Sequence, residues 1–435
     1  MAAGNGSAFL LGLCLFGSAG RATAQKPKLT LAEAIARANR VQPGVVSAGG
    51  TIRNAQARQR SATGAFLPNL TLTGSRGDNF SEGQQIDPGT GQFTTSGTST
   101  QSLGTTLSSS IDLFAGFRRS GEKKAANANR DAAEASFQNA QFQQQLTTTN
   151  TFFDVLAEEQ LALVRAASVR RAEEQLKVAV AKLQAGRGIR PDSLRSLVTL
   201  GNAQLQLVNA QTALATAEAN LGRLVGEDGP VGAVDDSSLY QMLPAVDLGA
   251  LRVEAIANAP AVKSAAAAAA SARAAITIAK AGYYPTLNLA GSASLNGSSR
   301  NRYTFLNSRS VSLGLNWPIF NRFQREQGIV SSLVTAEVAE ATAAEARRQV
   351  LSGLTAALAG LEAARLRIGI SQTSVLAGQE DLRVQQERYR LGVATILDVL
   401  TSQEALNQAE VDGVMARFDY VRARAQISAL IGRTL

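Results

Sequence analysis

The spacing of apolar residues along this chain switches between two periods. The stretches 30–63, 117–185, 190–225, 248–281, 321–391 and 395–431 read as helices. Between them lie two regions where apolar and polar residues alternate, as in strands with two unlike faces. In the first, Leu70, Leu72 and Gly74 alternate with Asn69, Thr71, Thr73 and Ser75, and Leu103, Leu107, Ile111 and Leu113 share a face opposite Thr106, Ser108, Ser110 and Asp112. In the second, Leu287, Leu289, Ala293 and Leu295 precede Val311, Leu313, Leu315, Trp317 and Ile319. Each strand is expected to span about 10 residues, the length of a tilted membrane strand. A soluble hairpin with one buried face would alternate in the same way.

The helices are unusually long. Glu122 to Ala185 contains neither Gly nor Pro, and a helix over that stretch would run roughly 95 Å. Leu200, Leu207, Leu214 and Leu221 fall seven apart, the spacing of coiled-coil packing. The run Ala265 to Ala270 reads either as a close-packing face or as a merely simple helix surface.

A repeat organises these elements. Phe66-Leu67-Pro68-Asn69-Leu70 returns as Tyr283-Tyr284-Pro285-Thr286-Leu287, 217 residues later. Leu113-Phe114, Gly186 with Asp192, and Leu224-Val225-Gly226 return as Ile319-Phe320, Gly392 with Asp398, and Leu430-Ile431-Gly432, each 206 later. The change of offset places about 11 extra residues in the first half, expected as a loop near Gly77 to Thr100. The division that follows is a leader at 1–24, a first unit at 25–226, a linker at 227–247 and a second unit at 248–435. Each unit is expected to hold a helix, a β-hairpin (66–113 and 284–320) and a long helical hairpin, with tips near 186–190 and 391–395.

The leader reads as a secretory signal peptide. Its apolar run, Ala8 to Ala19, is too short to span a bilayer, and Ala22-Thr23-Ala24 resembles a cleavage site. Cys14 leaves a lipoprotein as the alternative, against which Leu13 stands where a small residue is expected. No other segment resembles a membrane helix, so entry into a membrane must be by strands.

Composition narrows the chemistry. The chain of 435 residues has no histidine and one cysteine, Cys14. Histidine-based catalysis, histidine-ligated metals and disulfides are excluded, and no cofactor is expected. Lys and Arg outnumber Asp and Glu by 43 to 34, but the charges are interspersed, so no nucleic-acid partner is expected. Aromatic placement favours lipid over a soluble hairpin. Twelve of the 22 aromatic residues fall within 64–118 and 282–323. Phe66, Phe114, Tyr283, Tyr284, Trp317 and Phe320 flank the strands at their helix-proximal ends, where an aromatic girdle at a membrane interface would sit. Aromatics capping an ordinary sheet are the alternative. Lipid forbids open sheet edges, and four strands cannot close alone, so a barrel would have to be shared between chains.

At this point the sequence resembles the TolC family of outer-membrane efflux channels. The resemblance rests on Leu29-Thr30-Leu31-Ala32-Glu33-Ala34-Ile35, Phe66-Leu67-Pro68, Val311 to Phe320, and Arg388 to Leu400, in order along nearly the whole chain. It implies a mainly α chain with a membrane β-barrel, assembled as a homotrimer. Twelve strands would form the barrel in outer-membrane lipid, and twelve helices a periplasmic tube. The implied partners are a periplasmic adaptor and an inner-membrane pump. Gly186-Arg187-Gly188 and Gly392-Val393-Ala394 look like the tips that family adaptors contact, although each also suits a plain turn. Asp398 matches an acidic position that rings the periplasmic constriction in the family, where carboxylates favour cations. Thr395 and Asp398 equally fit a helix cap. Tyr389 and Asp192 match positions that hold neighbouring hairpins shut in the family, but the arginine partner position is Ala394 here. Pro191 before Asp192 also admits a simple helix start. The expected function is a non-enzymatic exit duct for small molecules in an efflux or secretion machine. A secreted coiled-coil tether without a pore is the competing reading.

Overall fold

The structure is a computed structural model that describes residues 26–241 and 248–433. The expected signal peptide, Cys14 and part of the 227–247 linker lie outside the described residues. In chain order the elements are β1 (Lys28–Leu29), α1 (Leu31–Val41), α2 (Pro43–Gly64), β2 (Asn69–Ile86), β3 (Phe93–Ala115), α3 (Arg118–Gln184) and α4 (Arg190–Val225). Then follow β4 (Gly232–Ala233), α5 (Leu248–Asn258), α6 (Pro260–Lys280), β5 (Thr286–Ser298), β6 (Leu306–Asn316), α7 (Gln324–Leu391) and α8 (Ile396–Ile431).

Helices α3 and α7 contain 67 and 68 residues, about 100 Å each at the helical rise. Two expected helices are broken. The 30–63 stretch divides at Pro43 and the 248–281 stretch at Pro260. Each proline stands at the start of the second piece, and Gln42 and Ala259 before them are extended, with ψ of 126° and 122°. Proline cannot donate to the preceding turn and disfavours helical backbone in the residue before it.

The four heptad leucines of α4 all turn toward packed surface. Leu200 and Leu207 pack against Val169, Ala172 and Ala203, while Leu214 and Leu221 join the main core. That core gathers Phe152, Phe153, Leu156 and Leu221 with Phe418 and Val421 from α8. The parallel pair β1–β4 brings Leu29 and Ala233 to its edge, a contact between distant segments that no local pattern announces. Helix α6 packs between α3 and α7 with Ala269 and Ala274 buried. A Cβ on Gly121 of α3 would stand 2.8 Å from Ile278 Cγ1 of α6, so the small residues here do permit close approach.

The four long strands form one antiparallel sheet in the order β2-β3-β5-β6. The extra residues of the first half are not a loop. They lengthen the strands, and the β2–β3 register runs unbroken from Asn69↔Ser110 to Ile86↔Phe93. The true turn is confined to 87–92, where the Asp87 carboxylate accepts from Gly89 N at 2.9 Å. Pairing of β3 with β5 stops at Ser102↔Ser298. Beyond that rung β2 and β3 continue as a two-stranded arm. Two further corrections concern strand ends. A bulge between Asp112 and Phe114 makes Leu113 the inserted residue and sets Phe114 opposite Leu287. Strand β6 ends at Asn316, because Pro318 cannot donate to a ladder. Trp317 and Ile319 therefore lie in the connection to α7.

Candidate functional site

Two regions carry the expected chemistry, the sheet with its junction to the helices and the tips of the helical hairpins. In the sheet, directly paired residues share a face. Leu72, Leu107, Ile111, Leu289, Leu313 and Leu315 fall on one face, and Thr71, Ser108, Ser110, Asn288, Ser292 and Ser312 on the other. The apolar face stays open to the surroundings, with Leu70 72% and Val311 82% exposed. Such a face is costly in water and suited to lipid. No helix among the described residues is long and apolar enough to cross a membrane.

The junction holds all six aromatics expected there. Tyr283, Tyr284, Trp317, Phe320 and Phe66 are exposed and Phe114 is half-buried. Trp317 Nε1 donates to Tyr283 O at 3.2 Å. Sequence reasoning missed Phe117 and Phe323, which stand edge-on to Phe114 and Phe320 with ring centroids 5.6 and 5.5 Å apart. It also missed two arginine clamps. Arg119 donates to Ala65 O and Leu113 O, with its guanidinium 4.9 Å from the centre of the Phe66 ring. Arg325 donates to Gly282 O, Pro318 O and Ile319 O and lies 4.4 Å from the Tyr283 ring centre. Phe117 with Phe323 and Arg119 with Arg325 share the 206-residue offset, the signal that could have found them. Both helices start from left-handed backbone, Gly116 and Phe117 in one case and Arg322 and Phe323 in the other.

At the tips, α3 ends at Gln184 and α7 at Leu391. Gly186 (φ +70°) and Gly392 (φ +85°) adopt the left-handed conformation that L side chains resist. Arg187 N then donates to Lys182 O, and Val393 N to Arg388 O, both at 2.9 Å. These are the closing bonds of Schellman turns. Gly186, Arg187, Gly392 and Val393 are exposed. Gly188 is half-buried, and a Cβ there would meet Leu183 N at 3.0 Å. Ala394 packs against the cluster of Tyr389, Ile396 and Val399.

The structure brings Tyr389 and Asp192 together, since the Tyr389 hydroxyl lies 3.5 Å from Asp192 Oδ2, at the outer limit of a hydrogen bond. Burial and the Asp192 charge push the Tyr389 hydroxyl above its ordinary pKa. Lys182, absent from the sequence expectations, sits 3.9 Å over the Tyr389 ring centre and donates to Tyr389 O. These contacts join the two helical hairpins of one chain. Higher up, Arg171 on α3 donates to Glu410 Oε2 at 2.6 Å and Asn407 Oδ1 at 2.8 Å on α8. Asp398 turns instead to its own helix start. Its Oδ2 accepts from Thr395 N and Thr395 Oγ1, both at 2.8 Å, completing a capping box. The Thr395 amide and hydroxyl, helped by Arg388, hold the exposed Asp398 carboxyl below the usual carboxylate range.

The sequence profile of the outer membrane efflux protein family matches residues 34–227 and 251–433. The chain belongs to that family. The outer membrane efflux protein BepC of Brucella suis is 26% identical over 325 residues, 73% of this chain and 71% of BepC. Protein CyaE of Bordetella pertussis is 26% identical over 413 residues, 92% of this chain and 81% of CyaE. Among solved structures, the outer membrane protein VceC of Vibrio cholerae aligns with a TM-score of 0.77 at 17% identity, covering 93% of this chain and 96% of VceC. As a family member this protein is a channel and not an enzyme. It resides in the outer membrane, reaches into the periplasm and serves as an exit duct. Members of the family form trimeric channels that work with adaptor proteins and inner-membrane pumps.

Proposed function

We propose that three copies of this chain close one twelve-strand barrel in the outer membrane above one twelve-helix periplasmic tube. The observation that carries this reading is the sheet itself. It presents an exposed face that carries its leucines, yet β2 and β6 are its two edges. In lipid those edges must be paired, and β6 of one copy meets β2 of the next in the antiparallel sense that the other pairs use. The two-unit division of the chain, 25–226 and 248–435, is supported by the equivalent clamps of Arg119 and Arg325 and by the matching tip turns.

The assembled duct passively conducts small molecules delivered by a periplasmic adaptor and an inner-membrane pump. The adaptor docks on the tips at Gly186-Arg187-Gly188 and Gly392-Val393-Ala394. Asp398 contributes a carboxylate to the periplasmic constriction, and Tyr389 with Asp192 holds the two hairpins of a chain together in the closed state. Opening then requires the α3–α4 and α7–α8 hairpins to separate at their tips. The native mass of protein extracted by detergent from outer membranes tests the reading. A trimer that conducts ions in planar bilayers is expected. A soluble monomer without conductance would overturn it in favour of the tether.

A further inference from the structure

Charge is distributed very unevenly over the two faces of the sheet. Arg76, Asp78, Glu82 and Arg309 all stand on the face that carries the leucines. The polar face is walled by hydroxyl and amide side chains along all four strands, and Asp112 is its only charged residue among the described strand positions. Asp112 lies at the helix-proximal end, immediately before the bulge. The bulge returns Phe114 to the apolar face while Asp112 keeps its place on the polar one. Both carboxylate oxygens are held. Asn288 Nδ2 donates to Oδ1 at 3.0 Å, and Arg118 Nη2 donates to Oδ2 at 3.3 Å. Arg118 also serves Glu122 at 3.1 Å, so two carboxylates share one guanidinium and the group is net negative.

We propose that Asp112 is the residue that sets charge preference at the inner mouth of the membrane pore. This rests on the barrel reading above, in which the polar face lines the lumen and each copy contributes one Asp112. Three net-negative Asp112–Arg118–Glu122 groups beside a strand wall that is otherwise uncharged raise the local concentration of cations and lower that of anions. The hydroxyl and amide wall beyond them offers hydrogen bonds to any solute without regard to charge. The preferred cargo at this point is therefore neutral or cationic, with anionic solutes disfavoured. This filter is separate from the helical tips and acts on whatever has already passed them.

The test is a local probe that does not depend on the state of the tips. Ala290 lies on the polar face beside Asn288, the residue paired with Asp112. In a Cys14→Ala background, Ala290→Cys supplies a single thiol. Methanethiosulfonate reagents carrying trimethylammonium or sulfonate are applied from outside the cell, and the two labelling rates are compared. Asp112→Asn should lower the cation-to-anion rate ratio about fivefold at ~0.01 M salt, where a charge roughly 7–8 Å away is weakly screened. Arg118→Gln should raise the ratio, a change of opposite sign that loss of structure would not produce. If Asp112→Asn fails to reach the outer membrane, the rise in Arg118→Gln carries the test alone. Labelling with an unchanged ratio would overturn the Asp112 assignment and leave the barrel standing. No labelling by either reagent would remove the barrel reading, and the proposal with it.

Discussion

The two arginine clamps at the junction differ in a way that can be measured. Arg325 makes one short bond, to Pro318 O at 2.9 Å, and two longer ones, to Gly282 O at 3.4 Å and Ile319 O at 3.3 Å. Its side chain is only 12% exposed. A charged donor to a carbonyl contributes about 1.5–3 kcal/mol when the geometry is good. The Tyr283 ring face adds ~1 kcal/mol. Counting the long bonds as weak, Arg325→Leu should cost about 3 kcal/mol per chain. Arg119 has bonds of only 3.3 and 3.2 Å and a more distant ring, 4.9 Å away. Arg119→Leu should cost about 1–2 kcal/mol by the same reasoning. The unfolding entropy of a chain of about 400 residues converts 3 kcal/mol into a fall in Tm of roughly 4 °C. Thermal unfolding of detergent-extracted protein, followed by helical circular dichroism, measures both. An equal or larger loss at Arg119, or no loss at Arg325, would refute the ranking of these bonds.

Other expectations concern the tips and the contacts above them. A Cβ at position 392 meets no neighbouring atom within 4 Å, so the main cost of Gly392→Val is backbone strain of about 1–2 kcal/mol. Efflux should fall while assembly stays intact, and normal drug resistance in that variant would count against the strict turn. Asp398→Ala should weaken cation selectivity or block by multivalent cations in bilayer recordings, and unchanged reversal potentials and block would sink its place at the constriction. Glu410→Gln leaves the half-buried Arg171 with Asn407 as its main partner and should loosen the α3–α8 contact by about 2 kcal/mol; more frequent channel opening or a lower Tm is expected, and a wild-type result in both assays argues against it. The Asp398 carboxyl is lowered in the folded protein, so its capping contribution is present at neutral pH and is lost as pH falls through that lowered value. Acidification below the ordinary carboxylate range should increase tip proteolysis in the parent more than in Asp398→Asn.

Much of this architecture was legible because its signals are local. A long Gly- and Pro-free stretch announces α3, the Pro-free stretch 321–391 announces α7, and Gly186 and Gly392 mark where they end. The alternation of Leu70, Leu72, Leu287 and Leu289 with hydroxyl residues shows the sheet and its faces. Contacts between distant segments were hidden. Nothing near Lys28 says that it pairs with Gly232, and nothing near Lys182 says that it meets Tyr389. Leu113 was placed on the apolar face because alternation assumes a regular ladder, whereas the bulge inserts one residue. The arm was read as a loop because the change of repeat offset locates the extra residues without saying whether they pair. In the structure the Phe80 ring lies over Gly97, where a Cβ would meet it at 3.0 Å, so the ring covers backbone that glycine leaves bare. At the tip, Tyr389 and Asp192 were legible as a pair only through resemblance, since they are 197 positions apart.

The arm formed by the outer parts of β2 and β3 gives the molecule two layers of constraint. From Ser102 to Ala115 the residues of β3 answer to two neighbouring strands at once, β2 on one side and β5 on the other. Beyond the Ser102 rung the arm residues pair with each other across a hairpin that closes within 87–92, and Gln101 at its base also bonds to Ser299 and Tyr303. A change of sequence or length in the arm leaves every other rung of the sheet where it was. The outer rim can therefore diverge in sequence while the duct beneath keeps its bore, and an affinity tag placed between Gly89 and Thr90 would mark the far end of the arm without altering transport.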